Sequence, residues 1–220
     1  MVDLLRNGRG ELPIDIANQV DNCDECRKHF RGETMTIILA SKSPRRRDLL
    51  GRITDDFIVM PSDAEESQTG SPRERVMTSA RAKARSVGQT HTGIILGADT
   101  MVVLDHHVLE KPRSRSDAKR MLHLLSGRAH RVLTGLYVWN TSTGEEREAC
   151  AETEVRFRTI EEPEVAWYLD SGEYEDKAGG YAIQGRAAAF IEGIAGEYTN
   201  VMGLPLCVLS RLLREMGARL

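Results

Sequence analysis

Apolar positions along the chain predict strands and helices in succession from residue 35 onward. Short apolar runs are typical of buried strands, whereas an apolar residue at every third or fourth position is typical of helices. The predicted strands cover residues 36–40, 57–60, 94–98, 101–104, 108–109, 132–139, 149–157 and 188–194. The predicted helices cover residues 43–50, 71–88, 116–125, 163–171 and 205–216. This mixture of crossovers and hairpins indicates an α/β fold with a mixed β-sheet flanked by helices.

Turn and capping residues mark where these elements begin and end. Ser43-Pro44 supplies an N-cap and a first-turn proline, and Ser71-Pro72-Arg73-Glu74 has the pattern of a capping box. Ser116 is predicted to cap the third helix. The polar stretch 97–100 separates two apolar runs, so we expect the strand to break there.

The first 34 residues differ from the rest of the chain, because they include a polar stretch without periodicity at residues 21–33. We expect residues 1–34 to form a flexible N-terminal extension ahead of a domain that spans residues 35–220. Cys23, Cys26 and His29 supply only part of a four-ligand zinc site, so the flexible extension is the preferred interpretation. An upstream start codon, with Met35 as the true start, is the alternative.

Composition excludes several classes of protein. The 220 residues, 40% of them hydrophobic, are enough for a core, and no apolar run approaches the roughly 20 residues that span a bilayer. The four cysteines are too few and too unevenly spaced for a secreted disulfide framework. A net charge of -3 argues against non-specific nucleic-acid binding. We therefore expect a cytoplasmic protein with neither a membrane nor a nucleic acid as a stable partner.

Three polar features are not explained by folding alone. Three arginines, residues 45–47, begin a helix where the dipole disfavours cations, which favours a bound phosphate over arginines that extend into water. Asp99 lies between apolar runs, and a buried carboxylate needs a partner or a metal, although an aspartate that ends a strand explains it equally well. The glycine-rich stretch 176–185 allows a ligand to approach the backbone, or else forms a hairpin corner. Phosphate-binding-loop, dinucleotide-binding, nucleophile-elbow and zinc-protease motifs are all absent.

The order and spacing of these features resemble those of the Maf nucleoside triphosphate pyrophosphatases. Any single match is weak, but the ordered set is specific, and it extends from Met35 almost to the C-terminus. The matching segments are residues 39–46, 66–67, 82–84, 97–100, 109–112, 125–127, 130–135, 176–185 and 201–205. Residues 1–34 have no counterpart in that family. The resemblance implies an elongated mixed α/β fold, similar to inosine triphosphatases, with two lobes around a central nucleotide-binding cleft.

The resemblance also implies an activity and its residues. Family members hydrolyse a nucleoside triphosphate to the monophosphate and pyrophosphate, need a divalent cation (Mg or Mn) and form homodimers. The segment Asp-Lys-Ala-Gly-Gly-Tyr-Ala-Ile-Gln-Gly at 176–185 resembles the branch that acts on dTTP and UTP, not the branch that acts on 7-methyl-GTP. Asp99 corresponds to the catalytic acidic residue and, with Glu66, to the metal ligands. The implied substrate-binding residues are Ser41, Arg45, Arg46, Lys83, Thr100, Lys111, Lys177 and Gln184.

Elementary chemistry agrees with this assignment and leaves two alternatives open. Asp99, with an ordinary pKa near 4, needs a neighbouring metal to act as a base at neutral pH. An amide of Gln184 held in one orientation would accept from N3–H and donate to O4 of uracil or thymine. The alternatives are a nucleotide-binding regulator of septum formation without turnover, and a pyrophosphatase for modified pyrimidine triphosphates.

Overall fold

A computed structural model of the protein describes residues 36–218 and residue 220. The predicted extension at 1–34, its cysteines and Met35 lie outside the described residues. Within them, seven strands form one mixed sheet in the order β2-β1-β3-β5-β6-β7, with β4 paired to β3. The strands are β1 Ile37–Leu39, β2 Phe57–Val59, β3 Ile94–Leu104, β4 His107–Leu109, β5 Ala129–Asn140, β6 Glu146–Phe157 and β7 Ile191–Ala195.

Six α-helices flank this sheet in the described part of the chain. They are α1 Pro44–Leu50, α2 Pro72–Gly88, α3 Arg115–Leu125, α4 Glu162–Leu169, α5 Tyr198–Val201 and α6 Leu206–Glu215. Short 3-10 helices cover Ala178–Gly180 and Arg186–Phe190. The mixed sheet with flanking helices is therefore confirmed. No helix within residues 36–218 combines the length and the apolar character that crossing a bilayer requires.

The predicted helix caps are confirmed at two helices and wrong at a third. The Ser43 hydroxyl accepts from the amide of Arg46, and Ser71 forms the predicted capping box with Glu74. Helix α3, however, begins one residue before Ser116, because Ser114 accepts the hydrogen bond from the amide of Asp117. Both serines fit the cap pattern, and only the backbone geometry distinguishes them.

Strand β3 is continuous where the sequence predicts a break. Asp99 pairs with Gly135 of β5 and Thr100 with Thr134, so both polar residues lie within the strand. On its other edge, β3 pairs with β1 over residues 94–96 and with β4 over residues 102–104. The described strands thus leave the middle of this edge without a partner, and a cleft opens there.

Two buried clusters occupy opposite halves of β3 and form the two lobes. The first joins β1, α2 and the first half of β3 and includes Ile38, Ala80, Ala84 and Tyr137. The second and larger cluster joins the other half of β3 to α3 and α4 and includes Val102, Leu122, Tyr168 and Phe190. The four residues predicted for the buried face of α2 are all buried: Val76, Ala80, Ala84 and Val87.

Helix α2 packs very closely against the sheet, and this places Lys83 over Asp99. Gly97 of β3 faces the helix, and a Cβ atom there would lie 2.0 Å from the carbonyl oxygen of Ala80. At Gly135 of β5, a Cβ atom would lie 2.5 Å from the carbonyl oxygen of Val76. Only glycine permits this approach of backbone to backbone.

Candidate active site

A cleft of about 580 Å³ lies at the unpaired edge of β3. It brings together every site residue that the sequence predicts. They are Ser41, Arg45, Arg46, Glu66, Lys83, Asp99, Thr100, Lys111, Lys177 and Gln184. They come from the loop after β1, from α1, α2 and β3, from the loops after β2 and β4, and from the glycine-rich segment, so no single stretch of sequence forms the cleft.

Asp99, Lys83 and Glu66 form a linked charged group in the cleft. Lys83 Nζ donates to Asp99 Oδ1 at 2.6 Å and to Glu66 Oε1 at 2.7 Å. The Asp99 side chain is only 5% exposed, whereas that of Glu66 is 46% exposed. Burial of a charged pair is costly unless both partners are well bonded, so a ligand of opposite charge is expected beside Asp99.

The two carboxyl groups differ in their pKa. Burial raises the pKa of Asp99, the charge of Glu66 adds to this, and Lys83 and Arg46 oppose it. Burial would also raise the pKa of Glu66, but the hydrogen bond and charge of Lys83 outweigh it, and the pKa is lowered. The pKa of Asp99 is therefore not the ordinary value expected from the sequence, because the sequence does not show how deeply the residue is buried.

The donor set of the cleft fits a divalent cation held partly by its substrate. Asp99 Oδ2 is buried and has no hydrogen-bond partner among the residues described. No group of three or more His, Cys, Asp or Glu side chains in that part of the chain could hold an ion alone. Mg²⁺ commonly uses one or two carboxylates together with water and substrate phosphates. Asp99 and Glu66 are two carboxylates that could serve in this way.

Four cationic side chains lie around this carboxylate pair. Arg46 donates from Nε to the carbonyl oxygen of Gly203 at 2.8 Å and from Nη2 to Thr100 Oγ1 at 3.0 Å. Arg45 Nη2 lies 3.4 Å from the carbonyl oxygen of Asp176. Lys177 lines the same side of the cleft, where burial and the charge of Arg45 lower its pKa. Lys111 is exposed.

The side chains of Ser41 and Gln184 differ in how they are held in the cleft, and their predicted roles in substrate binding stay predictions. The Ser41 hydroxyl accepts from the amide of Ser43 and so stabilises the turn before α1. Gln184 is exposed in the cleft, and no side chain or backbone group in the described region hydrogen-bonds its amide. We expected an amide held in one orientation. In the described region no group holds it, so the amide is free to rotate toward a bound base.

Arg75 is a cleft residue that sequence reasoning missed. Its guanidinium donates to the carbonyl oxygen of Ser67 at 2.9 Å, to Gln68 Oε1 at 3.0 Å and to Glu110 Oε1 at 3.2 Å. These bonds join the loop of Glu66 to the segment after β4. Its position eight residues before Lys83 on one helix face was the available signal.

His130 and Tyr181 support the glycine-rich segment from inside the larger lobe. His130 Nε2 lies 2.8 Å from the hydroxyl of Tyr181, and the Tyr168 hydroxyl accepts from the amide of Ala182. Both His130 and Tyr181 are buried, and their rings pack edge to face. The wall of the cleft that carries Gln184 therefore depends on a neutral imidazole in the core.

This burial predicts a loss of stability at mildly acidic pH. Burial lowers the pKa of His130 from 6.5 to about 4, so between these values only the unfolded chain binds the proton. Stability should thus fall by about 2 kcal/mol between pH 7 and pH 5 on account of this group. Urea denaturation at the two pH values measures the loss. The free energy of unfolding of His130→Gln should fall less between pH 7 and pH 5 than that of the wild type. An equal fall in both proteins would contradict the prediction.

The sequence matches the family described as "Maf-like protein" over residues 36–216. The chain belongs to the Maf family. Among its relatives in this family, the "dTTP/UTP pyrophosphatase" of Thermococcus gammatolerans is 47% identical over 82% of this chain and 96% of its own length. That of Anaeromyxobacter dehalogenans is 45% identical over 82% of this chain and 94% of its own. Both alignments therefore cover most of each Maf protein.

Among solved structures, the Staphylococcus aureus Ham1 protein superposes on this Maf domain with a TM-score of 0.42. The two share 13% identity over 56% of this chain and 71% of that chain. This likeness is too low to support a functional argument. The homodimer that the resemblance implies and the cytoplasmic location that the composition implies stay predictions.

Proposed function

We propose that this Maf-family protein hydrolyses dTTP and UTP to the monophosphate and pyrophosphate. The observation that carries the proposal is Asp99, a buried carboxylate with one unpartnered oxygen, at the centre of a cleft lined with arginine and lysine. Support also comes from the two relatives named dTTP/UTP pyrophosphatase. Their alignments with this chain cover 96% and 94% of their own length.

The basic side chains of the cleft bind the triphosphate. A triphosphate carries about four negative charges, and guanidinium groups bind phosphate oxygens in pairs. Arg45, Arg46 and Lys177 approach from one side of the cleft, while Lys83 and Lys111 lie near the carboxylates. These cations also stabilise the charge that develops on the leaving pyrophosphate.

Asp99 accepts the proton of the attacking water. Its Oδ2 atom is free, while Oδ1 is held by Lys83, so the carboxylate has one oxygen available and a fixed orientation. A raised pKa improves a carboxylate as a base near neutral pH. Water then attacks the α-phosphorus, and the bond to the pyrophosphate oxygen breaks.

Asp99 and Glu66 would hold the divalent cation, which we propose to be Mg²⁺ or Mn²⁺. When bound, the ion neutralises phosphate charge and acidifies water. Lys83 already bonds both carboxylates, so it keeps them in place and would share them with the ion. Since Glu66 has a lowered pKa, it remains ionised and able to act as a ligand.

Gln184 is expected to contribute to the choice of base. Its amide can accept from N3–H and donate to O4 of uracil or thymine, whereas cytosine presents the reverse pattern. Because the amide is free to rotate, we expect only part of the discrimination to come from it. Gln184→Ala should lower kcat/KM for UTP about fivefold and that for CTP by a smaller factor, because an amide that can turn over also meets cytosine in part. A variant that keeps the wild-type ratio of kcat/KM for UTP to kcat/KM for CTP would contradict this role.

Pyrophosphate release tests the proposed function directly. The full-length protein is assayed with standard and modified triphosphates, in Mg²⁺, in Mn²⁺ and with a chelator. We expect metal-dependent release from dTTP and UTP and little from purine triphosphates. Failure to release pyrophosphate from either pyrimidine nucleotide with any metal would refute the proposal. Tight nucleotide binding without release would favour a regulator instead.

A further inference from the structure

A chain of buried hydroxyl and amide groups lies next to Arg46. Thr134 Oγ1 lies 2.9 Å from Thr100 Oγ1, which accepts from Arg46 Nη2 at 3.0 Å. Thr134 is fully buried and does not line the cleft. It therefore makes no direct hydrogen bond to the guanidinium of Arg46, and its shortest hydrogen-bonded connection to that group passes through Thr100.

Asn200 holds the second partner of Arg46 in place. This fully buried side chain donates from Nδ2 to the carbonyl oxygen of Val132 and to Thr153 Oγ1, both at 3.0 Å. Its backbone oxygen accepts from the amide of Gly203 at 2.9 Å and lies 3.4 Å from Thr134 Oγ1. The carbonyl group of Gly203, which binds Arg46 Nε, is thus tied to strands β5 and β6.

Counting protons shows why the Thr134 hydroxyl matters. If Thr134 donates to Thr100, then Thr100 donates to the carbonyl oxygen of Gly203, which lies 3.4 Å away. If Thr100 donates instead, the proton of Thr134 passes to the carbonyl oxygen of Asn200. In both arrangements Thr134 completes the bonding of Thr100, because a hydroxyl has one donor and two acceptor sites.

The bonds of Arg46 leave part of its guanidinium for a ligand. Nε and Nη2 are both used, whereas Nη1 has no acceptor within residues 36–218. Arg46 is half-buried in the cleft, where the charge of Asp99 acts on it. Because the guanidinium is planar, hydrogen bonds at two of its nitrogens also fix the direction of its remaining N–H groups.

We propose that Thr134 is a positioning residue for phosphate binding, acting through Thr100 and Arg46. The inference rests on the proposed function, since it concerns the triphosphate subsite of the same cleft. Thr134 touches no substrate; its hydroxyl fixes Thr100, and Thr100 with Gly203 fixes the guanidinium. Preorganised donors bind an anion more tightly than donors that must first be ordered.

A pair of substitutions at one position tests this inference in the full-length protein. Thr134→Val keeps the shape and removes the hydroxyl, whereas Thr134→Ser keeps the hydroxyl. The readouts are the Kd for inorganic pyrophosphate, from titration calorimetry, and the KM for UTP. Thr134→Val should raise both about fivefold, the worth of one hydrogen bond, and Thr134→Ser should stay within about twofold of wild type.

These readouts separate positioning from mere folding. A partly unfolded sample lowers the maximal rate and the calorimetric stoichiometry, but it leaves Kd and KM unchanged. Thr141→Val is the matched control, because the Thr141 hydroxyl also makes two hydrogen bonds, to Gly93, and does not line the cleft. It should leave both constants at their wild-type values.

A double variant tests whether Thr134 acts through Arg46. Adding Thr134→Val to Arg46→Ala should change the pyrophosphate Kd by less than about twofold, since the group being positioned is gone. Unchanged Kd and KM in Thr134→Val, absence of pyrophosphate binding to wild type, or a further fivefold loss in the double variant would each overturn the inference. An inactive wild type that binds pyrophosphate would instead refute the proposed activity, and calorimetry would still decide the role of Thr134.

Discussion

Replacing Asp99 by asparagine should lower kcat for dTTP and UTP by about 10³-fold, because a positioned general base contributes about that factor. The amide has nearly the same shape as the carboxylate, and its oxygen can still accept from Lys83, which donates to Asp99 Oδ1 in the wild type. The substitution removes the basic Oδ2 atom. It also removes one of the two negative charges proposed to hold the divalent cation. Nucleotide binding, carried mainly by the arginines and lysines, should persist.

Pyrophosphate release measures the loss, and calorimetric titration with UTP and a chelator measures binding. Asp63→Asn is the matched control, since Asp63 is also paired with a lysine, Lys42, but is exposed and outside the cleft lining. It should retain wild-type turnover. Asp99→Asn with more than a tenth of the wild-type kcat would exclude Asp99 as the base.

Replacing Gly97 by alanine should destabilise the protein by at least about 3 kcal/mol, because overpacking against backbone atoms cannot be relieved by a side-chain rotation. The added Cβ would lie 2.0 Å from the carbonyl oxygen of Ala80 and 3.0 Å from Ala84 Cβ. Helix α2 must therefore move away from β3. Since α2 carries Lys83 and Arg75, activity should also fall in any protein that still folds.

Thermal unfolding tests this prediction, with an expected fall in Tm of about 10 °C for a chain of this size. Gly193→Ala is the control, because a Cβ at Gly193 meets no atom within 4 Å and its φ is not positive. Its Tm should change by no more than a few degrees. Equal shifts for the two variants would show that the close approach of α2 is not essential.

Much of the fold could be predicted because its signals are local. Capping residues before α1 and α2, the buried face of α2 and the turn between β5 and β6 all depend on residues within a few positions of one another. Helix α5 was missed, since it has four residues and no periodicity to detect. The continuity of β3 was missed because polar residues at 99 and 100 look like a turn until a neighbouring strand is present.

The site was predictable as a set of residues but not as an arrangement. The order of matching segments identified the family, and the resemblance implied ten residues that all line the cleft. Their bonds join distant positions: Arg46 to Gly203, 157 residues apart, and Thr100 to Thr134, 34 residues apart.

The sequence by itself thus determined the α/β class, most element positions and ten of the residues that line the cleft. Only the tertiary structure decided that β3 has an unpaired edge, that Lys83 bonds both carboxylates, and that burial raises the pKa of Asp99. The reason is that burial and pairing depend on which distant segments pack together. A local sequence pattern does not specify these tertiary contacts.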